Sequence, residues 1–401
     1  MGAFNILNLT LPLLAFVATV PINGASARRP KPSSSAEQTY YPPAANCIEY
    51  MIPVSVAPPV IQFAFPKWTD DYAPTDFLTV ATTRQTPNTQ SPIVNTAITP
   101  ATYSIAASFC SPKTLSAKSK TVLLATHGIG QARSHWNSPH NPNEYNFVQH
   151  AISQGYSVFF YDRLGQGSSQ KISGYVNQIN IHVEILKELS KIVRSGEYTG
   201  VIGKPEKLAL MGFSFGSYIT HAAVGTSPEI ADAVVLTAIG LNGTGINANG
   251  LVRSFVPRIA MLQDEKFEDW DDGYLTWVDK FAQINTYFKR PFYDAETADF
   301  AEAAKQPFGF VEFYTFPLGN GGNYDASNFT SPALAITGKQ DYIVCDGECE
   351  GIFEEPARTF YKNAKPFVPY LHPNASHNIN FHHNATGAYR VITDFLTEHL
   401  K

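Results

Sequence analysis

At Leu208–Tyr218 the chain reads L-A-L-M-G-F-S-F-G-S-Y, where an apolar strand-like stretch meets Gly212-Phe213-Ser214-Phe215-Gly216 and continues into a helix-like segment. This G-x-S-x-G spacing constrains the backbone sterically. A serine on a tight strand-to-helix turn stands in a strained conformation, and side chains at the flanking glycine positions would collide with neighbouring backbone. Ser214 is therefore expected to stand exposed at a strand end. There the helix N-terminus and the N–H of Phe215 face any negative charge that develops beside it. A pentapeptide also matches by accident, as a glycine-rich turn with a buried serine, so its company has to decide.

After Lys120 compact apolar runs alternate with helical patterns. Thr121–Thr126, Ser157–Tyr161, Lys207–Met211, Ala233–Thr237, Ala333–Thr337 and Pro366–Leu371 read as buried parallel strands. Tyr145–Gln154, Asn177–Ser195, Ser217–Thr226, Phe353–Asn363 and Gly387–His399 read as helices; in the second, Ile181, Ile185, Leu189, Ile192 and Val193 recur on one face. The alternation predicts an α/β fold, a mostly parallel central sheet flanked by helices on both faces. Before it, from Cys47 to Cys110, Val-, Ile-, Thr- and Phe-rich runs at Ile61–Phe65, Asp76–Thr83 and Thr102–Phe109 suggest an antiparallel entry to the sheet. The core is thus expected over 46–240 and 330–401, with an aromatic-rich insertion over 241–329. An insertion of that length and apolar content is expected to form a helical cap or lid, most of its aromatics being its own core.

A serine hydroxyl is a weak nucleophile at neutral pH. It needs an imidazole to take its proton and a carboxylate to hold that imidazole in the right tautomer. The strand order points to a carboxylate after a late strand and a histidine after the last one. Ala333-Leu-Ala-Ile-Thr-Gly-Lys-Gln-Asp341 and Val368-Pro-Tyr-Leu-His-Pro-Asn-Ala-Ser-His377 supply them, giving the chain order Ser214, Asp341, His377. Asp346 is a competitor for the carboxylate. Asp162, in Y-D-R-L-G-Q-G-S-S, is better read as ordering a turn and pairing with Arg163. His372 lies on or at the end of the last strand, and His382 and His383, beyond the loop, are candidates to cap the final helix. With eleven histidines in the chain, position relative to the strands carries the choice. Thr126-His127-Gly128-Ile129-Gly130 follows the first parallel strand, and its glycines allow close backbone approach; the Ile129 N–H is the candidate to join that of Phe215 in an oxyanion hole, with His127 structural.

Composition narrows the setting. Of 401 residues, 29 are Lys or Arg and 34 Asp or Glu, a balance that gives no basic patch for nucleic acid. Residues 1–27 carry no charged side chain, have an apolar stretch from Leu7 to Val20 and end in Ala25-Ser26-Ala27, the pattern of a secretory signal peptide, although the n-region lacks Lys and Arg. An uncleaved membrane anchor is the alternative, but the stretch is shorter than the ~20 residues of a membrane span and contains Pro12, so no stable membrane insertion is expected. Residues 28–45, rich in Pro, Ser and small side chains, read as a flexible N-terminus. Cys47, Cys110, Cys345 and Cys349 suit an oxidising compartment. They divide into a long-range and a tight pair, with other connectivities open and zinc a rival reading of C-x3-C. Asn242, Asn328, Asn374 and Asn384 head glycosylation acceptor sequences. Nothing in the sequence speaks to oligomeric state.

With H-G-I-G, Y-D-R-L-G-Q-G-S-S, G-F-S-F-G, G-K-Q-D and A-S-H-N in this order, the chain resembles the α/β-hydrolase superfamily over roughly residues 100 to 401, and most of all its secreted fungal branch of α/β-hydrolase-1 type. The resemblance implies Ser214 as nucleophile, His377 as general base and then acid, Asp341 as orienting carboxylate, and the region near 241–329 as the cap. Serine at the elbow argues against the dehalogenases and epoxide hydrolases of this fold, which place aspartate there. The expected activity is hydrolysis of a small-molecule carboxylic ester with an apolar part, without metal or organic cofactor. A peptidase using the acidic run Asp264, Glu265, Glu268, Asp269, Asp271 and Asp272, and a non-catalytic ligand or lipid binder, are the alternatives.

Overall fold

The computed structural model describes residues 39–81, 92–241, 248–319 and 325–400. Eight strands form the main sheet: β1 (Ala45–Val56), β2 (Ala101–Pro112), β3 (Thr121–Thr126), β4 (Ser157–Tyr161), β5 (Lys207–Phe213), β6 (Ala233–Thr237), β7 (Ala333–Gly338) and β8 (Phe367–His372). Their spatial order is β1-β2-β4-β3-β5-β6-β7-β8. From β4 to β8 neighbours are parallel, while β2 is antiparallel to both β1 and β4. Every residue of β3, β4, β6 and β7 is buried, as expected for strands covered on both faces. The edge strand β1 alternates buried and exposed residues along part of its length, and a disulfide joins its Cys47 to the directly opposed Cys110 of β2.

Helices α1 (Phe147–Ser153) and α5 (Ala385–His399) pack together on one face, linked by His150 Nε2 and Thr393 Oγ1 at 3.3 Å. On the other face lie α2 (Ile179–Ser195), α3 (Phe215–Thr226) and α4 (Glu354–Phe360). In α2 the side chains of Ile181, Ile185, Leu189 and Val193 are buried, the stripe expected from their spacing, and the helix stops at Gly196 in the left-handed region, φ 86°. Strand order reverses between β4, which lies on one side of β3, and β5, which lies on the other. A sheet of this kind opens a crevice at the carboxyl ends of those strands.

Two local expectations fail. Asp76–Ala81 is not a strand but part of the helix Tyr72–Ala81, started by Asp70, whose Oδ1 accepts from Tyr72 N and Ala73 N at 3.0 and 3.3 Å; Thr82 and Thr83 lie outside the described residues. An acidic N-cap and a proline in the first turn, where no N–H is needed, override the β-leaning composition. Ile61 belongs to a separate two-stranded antiparallel sheet, Pro59–Phe63 with Ile93–Ile98, rather than to the main sheet. The N-terminal segment also docks earlier than expected: the Tyr40 hydroxyl donates to Gln149, and Asn137 Nδ2 donates to Tyr40 O at 2.6 Å. Residues 1–27, and Asn242 with them, lie outside the described residues.

Between β6 and β7 the chain forms helices Ala248–Phe255, Lys280–Tyr287, Ala295–Ala304 and Phe310–Gly319 around a small sheet of Phe308–Gly309, Tyr274–Trp277 and Pro257–Ile259. Those strands are too short for an alternating pattern to show in the sequence. Trp270, Tyr274, Trp277, Tyr287, Phe288, Phe308 and Phe310 are buried within this segment or against the core, whereas Phe281 is exposed. Among the described residues no helix is long and apolar enough to cross a membrane.

Candidate active site

β5 runs into α3 through Ser214, whose backbone lies at φ 51° and ψ −119°, a region that costs a non-glycine residue about 1–3 kcal/mol. The neighbours hold it there. Ser214 N donates to Thr237 O on β6 at 2.9 Å, and the Ser217 hydroxyl donates to the same carbonyl at 2.7 Å. The flanking glycines are steric necessities: a Cβ on Gly212 would lie 2.4 Å from Ser217 Cα, and one on Gly216 would lie 2.2 Å from Thr126 O.

The three side chains singled out in the sequence meet at this turn. His377 Nε2 lies 2.7 Å from Ser214 Oγ, and its Nδ1 lies 2.8 and 3.0 Å from Asp341 Oδ2 and Oδ1. Asp341 is fully buried and caps the turn after β7. Its Oδ1 accepts from Ile343 N and Val344 N, both at 2.9 Å, and its Oδ2 accepts from the Thr337 hydroxyl at 2.6 Å. An acceptor-only carboxylate facing Nδ1 puts the imidazole proton on that nitrogen and leaves the Nε2 lone pair toward the serine hydroxyl.

The loop carrying His377 is pinned by His382. Its Nδ1 donates to Asn378 O at 2.8 Å, and its Nε2 accepts from Ser376 N at 3.2 Å and Lys289 N at 3.3 Å. Burial, offset in part by the Asn378 carbonyl, pushes its pKa down to about 4, which keeps the ring in the neutral form these bonds require. Capping of the final helix is therefore not its role. His372 Nε2 bonds Asn384 O at 2.9 Å, and His383 pairs with Asp294. Asp346 is exposed, in the five-residue loop closed by Cys345 and Cys349. With both sulfurs in that disulfide, zinc at C-x3-C is excluded. The loop wraps the acid: Cys345 N and Gly347 N donate to Asp341 O at 3.2 and 3.0 Å.

Ile129 lies in the loop after β3 and Phe215 opens α3 directly after Ser214, and neither backbone N–H meets a protein acceptor among the described residues. His127 is fully buried, its Nδ1 against Gly128 O at 2.9 Å and its Nε2 accepting from Arg163 N at 2.9 Å. Burial, with Arg163 adding, drives its pKa well below the usual value, so it acts as a neutral strut. Asp162 orders its turn by accepting from Arg133 N at 2.8 Å and Ser168 N at 2.9 Å, but it does not pair with Arg163. Its cation is Arg133, at 3.7 Å, while the Arg163 guanidinium turns inward to Glu312.

Sequence reasoning missed Tyr287. Its hydroxyl donates to Ile129 O at 3.0 Å, its ring stacks on His377 with centroids 5.2 Å apart, and its carbonyl accepts from Asn378 N at 3.0 Å. Trp277 lies against the same loop, since a Cβ on Gly130 would fall 2.1 Å from its ring. No pattern distinguishes these two among the many aromatics of 241–329. Of the acidic run, Asp264, Glu265, Glu268 and Asp269 are exposed, with Asp269 paired to Lys171, while Asp271 and Asp272 are half-buried and Asp271 Oδ1 accepts from Gly174 N and Gly273 N at 3.0 and 3.1 Å. Of the glycosylation candidates, Asn328 and Asn374 are exposed and Asn384 is half-buried.

The sequence profile of the Alpha/beta hydrolase family matches residues 122–388. The chain belongs to the alpha/beta hydrolase family. Among solved structures, a 2-hydroxy-6-oxo-6-phenylhexa-2,4-dienoate hydrolase from a Rhodococcus species shares 16% identity over 74% of this chain and 95% of its own, with a TM-score of 0.51. A thermophilic esterase from Thermogutta terrifontis shares 18% identity over 79% of this chain and 97% of its own, TM-score 0.49. A monoacylglycerol lipase from Paleococcus ferrophilus shares 15% over 74% and 99%, TM-score 0.48. No curated protein matches the chain. At these identities the structural likeness concerns the alpha/beta hydrolase fold, and the reaction has to be argued from the site.

Proposed function

We propose that this alpha/beta hydrolase cleaves carboxylic esters through Ser214, His377 and Asp341. The observation that carries the reading is the imidazole bonded on one side to the elbow hydroxyl and on the other to a carboxylate whose remaining acceptor sites are filled. In the first half-reaction His377 Nε2 takes the proton of Ser214 Oγ as it attacks the ester carbonyl, and the N–H groups of Ile129 and Phe215 receive the resulting oxyanion. Collapse expels the alkoxide, which takes the proton from His377, and leaves an acyl-serine. Water, deprotonated by the same nitrogen, attacks the acyl group, and the released Ser214 oxygen recovers the proton.

Trp277 and Tyr287 over the oxyanion loop support a substrate with a sizeable apolar part. The 241–329 segment then acts as the cap. In the acidic run Asp264, Glu265, Glu268 and Asp269 are exposed and Asp271 is taken up by the N–H groups of Gly174 and Gly273, so no observation favours the peptidase alternative. The signal-like N-terminus and the two disulfides support a secreted enzyme, with Asn328 and Asn374 the most accessible acceptors for glycans. Fluorophosphonate labelling and turnover of a p-nitrophenyl ester series test the central reading. Both are expected for the native chain and absent in Ser214→Ala. A folded native chain that is neither labelled nor active on any ester refutes it, and preference for acetyl over every longer acyl group refutes the apolar specificity.

A further inference from the structure

Behind the oxyanion loop lies a charged cluster sealed from solvent. The side chains of Arg163 and Glu312 are both 0% exposed and are paired through Nη1 and Oε1. His182 Nε2 donates to the same Oε1 at 2.9 Å, and Gly309 N donates to Oε2 at 2.9 Å. Burial alone would raise the Glu312 pKa, but Arg163 and His182 together pull it down to about 2, so the pair is ionised. A buried ion pair is a poor device for stability, because apolar side chains of similar volume often do as well or better. What its atoms touch is more telling.

Arg163 Nη2 donates to Gly128 O at 3.2 Å. That carbonyl and the Ile129 N–H are the two ends of one planar trans peptide, so a bond that holds the oxygen on one side aims the N–H to the opposite side and polarises it. The same guanidinium sits 4.9 Å from the centre of the Phe215 ring, on the residue whose N–H is the other oxyanion amide. One cation thus touches the peptide of the first donor and the side chain of the second. Glu312, which fixes that cation, comes from the helix Phe310–Gly319 of the insertion, not from the sheet that carries Ser214.

We propose that Arg163, Glu312 and His182 form a positioning cluster for the oxyanion hole, which orients the Ile129 and Phe215 amides and makes their alignment depend on the docking of the 310–319 helix. The proposal rests on the ester-hydrolase reading. Removing one oxyanion donor costs about 10²–10³ in kcat, so a donor that is kept but poorly aimed should cost about 10- to 100-fold. The test is the charge-free double variant Arg163→Met/Glu312→Leu, compared with the native chain by thermal unfolding, by kcat and KM on one p-nitrophenyl ester, and by Ki for a trifluoromethyl ketone, whose tetrahedral adduct places an oxyanion at the same amides. The expected result is a folded protein with kcat lowered about 10- to 100-fold, Ki raised by a similar factor, KM within about twofold, and an unmoved pH profile.

A folded variant with kcat and Ki unchanged overturns the proposal, as does a rise in KM alone, which reduces the cluster to a cap anchor. Should the double variant not fold, Glu312→Gln decides, since it keeps shape and one acceptor; a kcat loss of about 3- to 10-fold at constant KM supports the proposal and native kcat overturns it. A native chain inert toward every ester overturns the hydrolase reading and this one with it. That outcome is distinct from an active native chain whose variants are equally active.

Discussion

Replacing Asp341 by asparagine changes one atom and tests the arrangement around His377. In Asp341→Asn the amide oxygen takes over the place of Oδ1, where Ile343 N and Val344 N already donate at 2.9 Å. The NH₂ then faces His377 Nδ1, which lies 2.8 Å from the present Oδ2. A donor in that position makes Nδ1 the acceptor, so the imidazole proton moves to Nε2 and points at the Ser214 hydroxyl. The base can no longer accept. The geometry is retained and the tautomer is wrong, a change worth about 10⁴ in kcat, or about 5 kcal/mol of transition-state stabilisation. Steady-state hydrolysis of a p-nitrophenyl ester at neutral pH measures it, with circular dichroism to verify folding. Asp346→Asn is the matched control, since Asp346 is exposed and makes no bond to His377, and its kcat is expected to stay native. A folded Asp341→Asn protein within tenfold of native kcat, or an Asp346→Asn protein that loses the rate instead, refutes the assignment.

Tyr287→Phe removes the bond to Ile129 O and should lower stability by about 1 kcal/mol and kcat severalfold, read by urea unfolding and turnover; unchanged values in both would show that the hydroxyl is idle. Cys345→Ser/Cys349→Ser opens the loop whose amides hold Asp341 O, for a loss of about 2 kcal/mol by loop entropy, accompanied by lower kcat; a stable, fully active double variant refutes the clamp. Acid should weaken the fold through two histidines. Burial, with His377 adding, pushes the pKa of His135 down to about 3, and burial pushes that of His382 to about 4, so as pH falls below the ordinary 6.5 the unfolded chain takes up protons that the folded chain refuses. Stability is therefore full above pH 6.5 and declines toward pH 4, by up to about 1.4 kcal/mol per pH unit for each histidine. Urea unfolding at stepped pH checks the slope, and a flat profile from 7 to 4.5 contradicts it.

The parts of this architecture legible in the sequence are those governed by local rules. Buried parallel strands announce themselves as compact apolar runs, so β3, β4 and β6 have the bounds their sequences suggest. The elbow is legible because sterics demand its glycines, and His377 because it is the first histidine after the last strand, which ends at His372, ahead of His382, His383 and His399. The contacts that stayed hidden join distant segments. Neither the partner of Arg163 nor the bond of Tyr287 to the loop after β3 leaves a trace in local composition, for Glu312 lies 149 positions from Arg163 and Tyr287 158 from Ile129. The helix Tyr72–Ala81 was obscured for the opposite reason: its Phe, Leu, Thr and Val residues suit a strand, and the signal that decides, the cap at Asp70, sits outside the run.

The sheet order poses a problem of reach that one glycine solves. Ser214 follows β5 and His377 follows β8, with β6 and β7 between them; at about 4.8 Å per strand the two strand ends stand about 14 Å apart. The loop after β8 must therefore travel back across the end of β7 to bring the imidazole within 2.7 Å of the hydroxyl. It passes directly over Gly338, where an added Cβ would lie 2.3 Å from Ser376 O and 2.4 Å from Ala375 O. Lys339 N and Gln340 N then fasten the crossing by donating to His372 O and Ala375 O at 2.8 and 3.0 Å. Gly338→Ala should lift this crossing, since both clashing atoms are backbone and cannot rotate away. Relief by a few tenths of an ångström in each direction stretches the Nε2 to Oγ bond while leaving the elbow and its two amides in place, so kcat should fall by about 10²-fold, the scale of catalysis lost to a misplaced group. KM should hold and unfolding should register about 1–3 kcal/mol of strain. If Gly338→Ala turns over ester at the native rate, the loop has another way across, and the close approach at β7 is not what sets the distance between base and nucleophile.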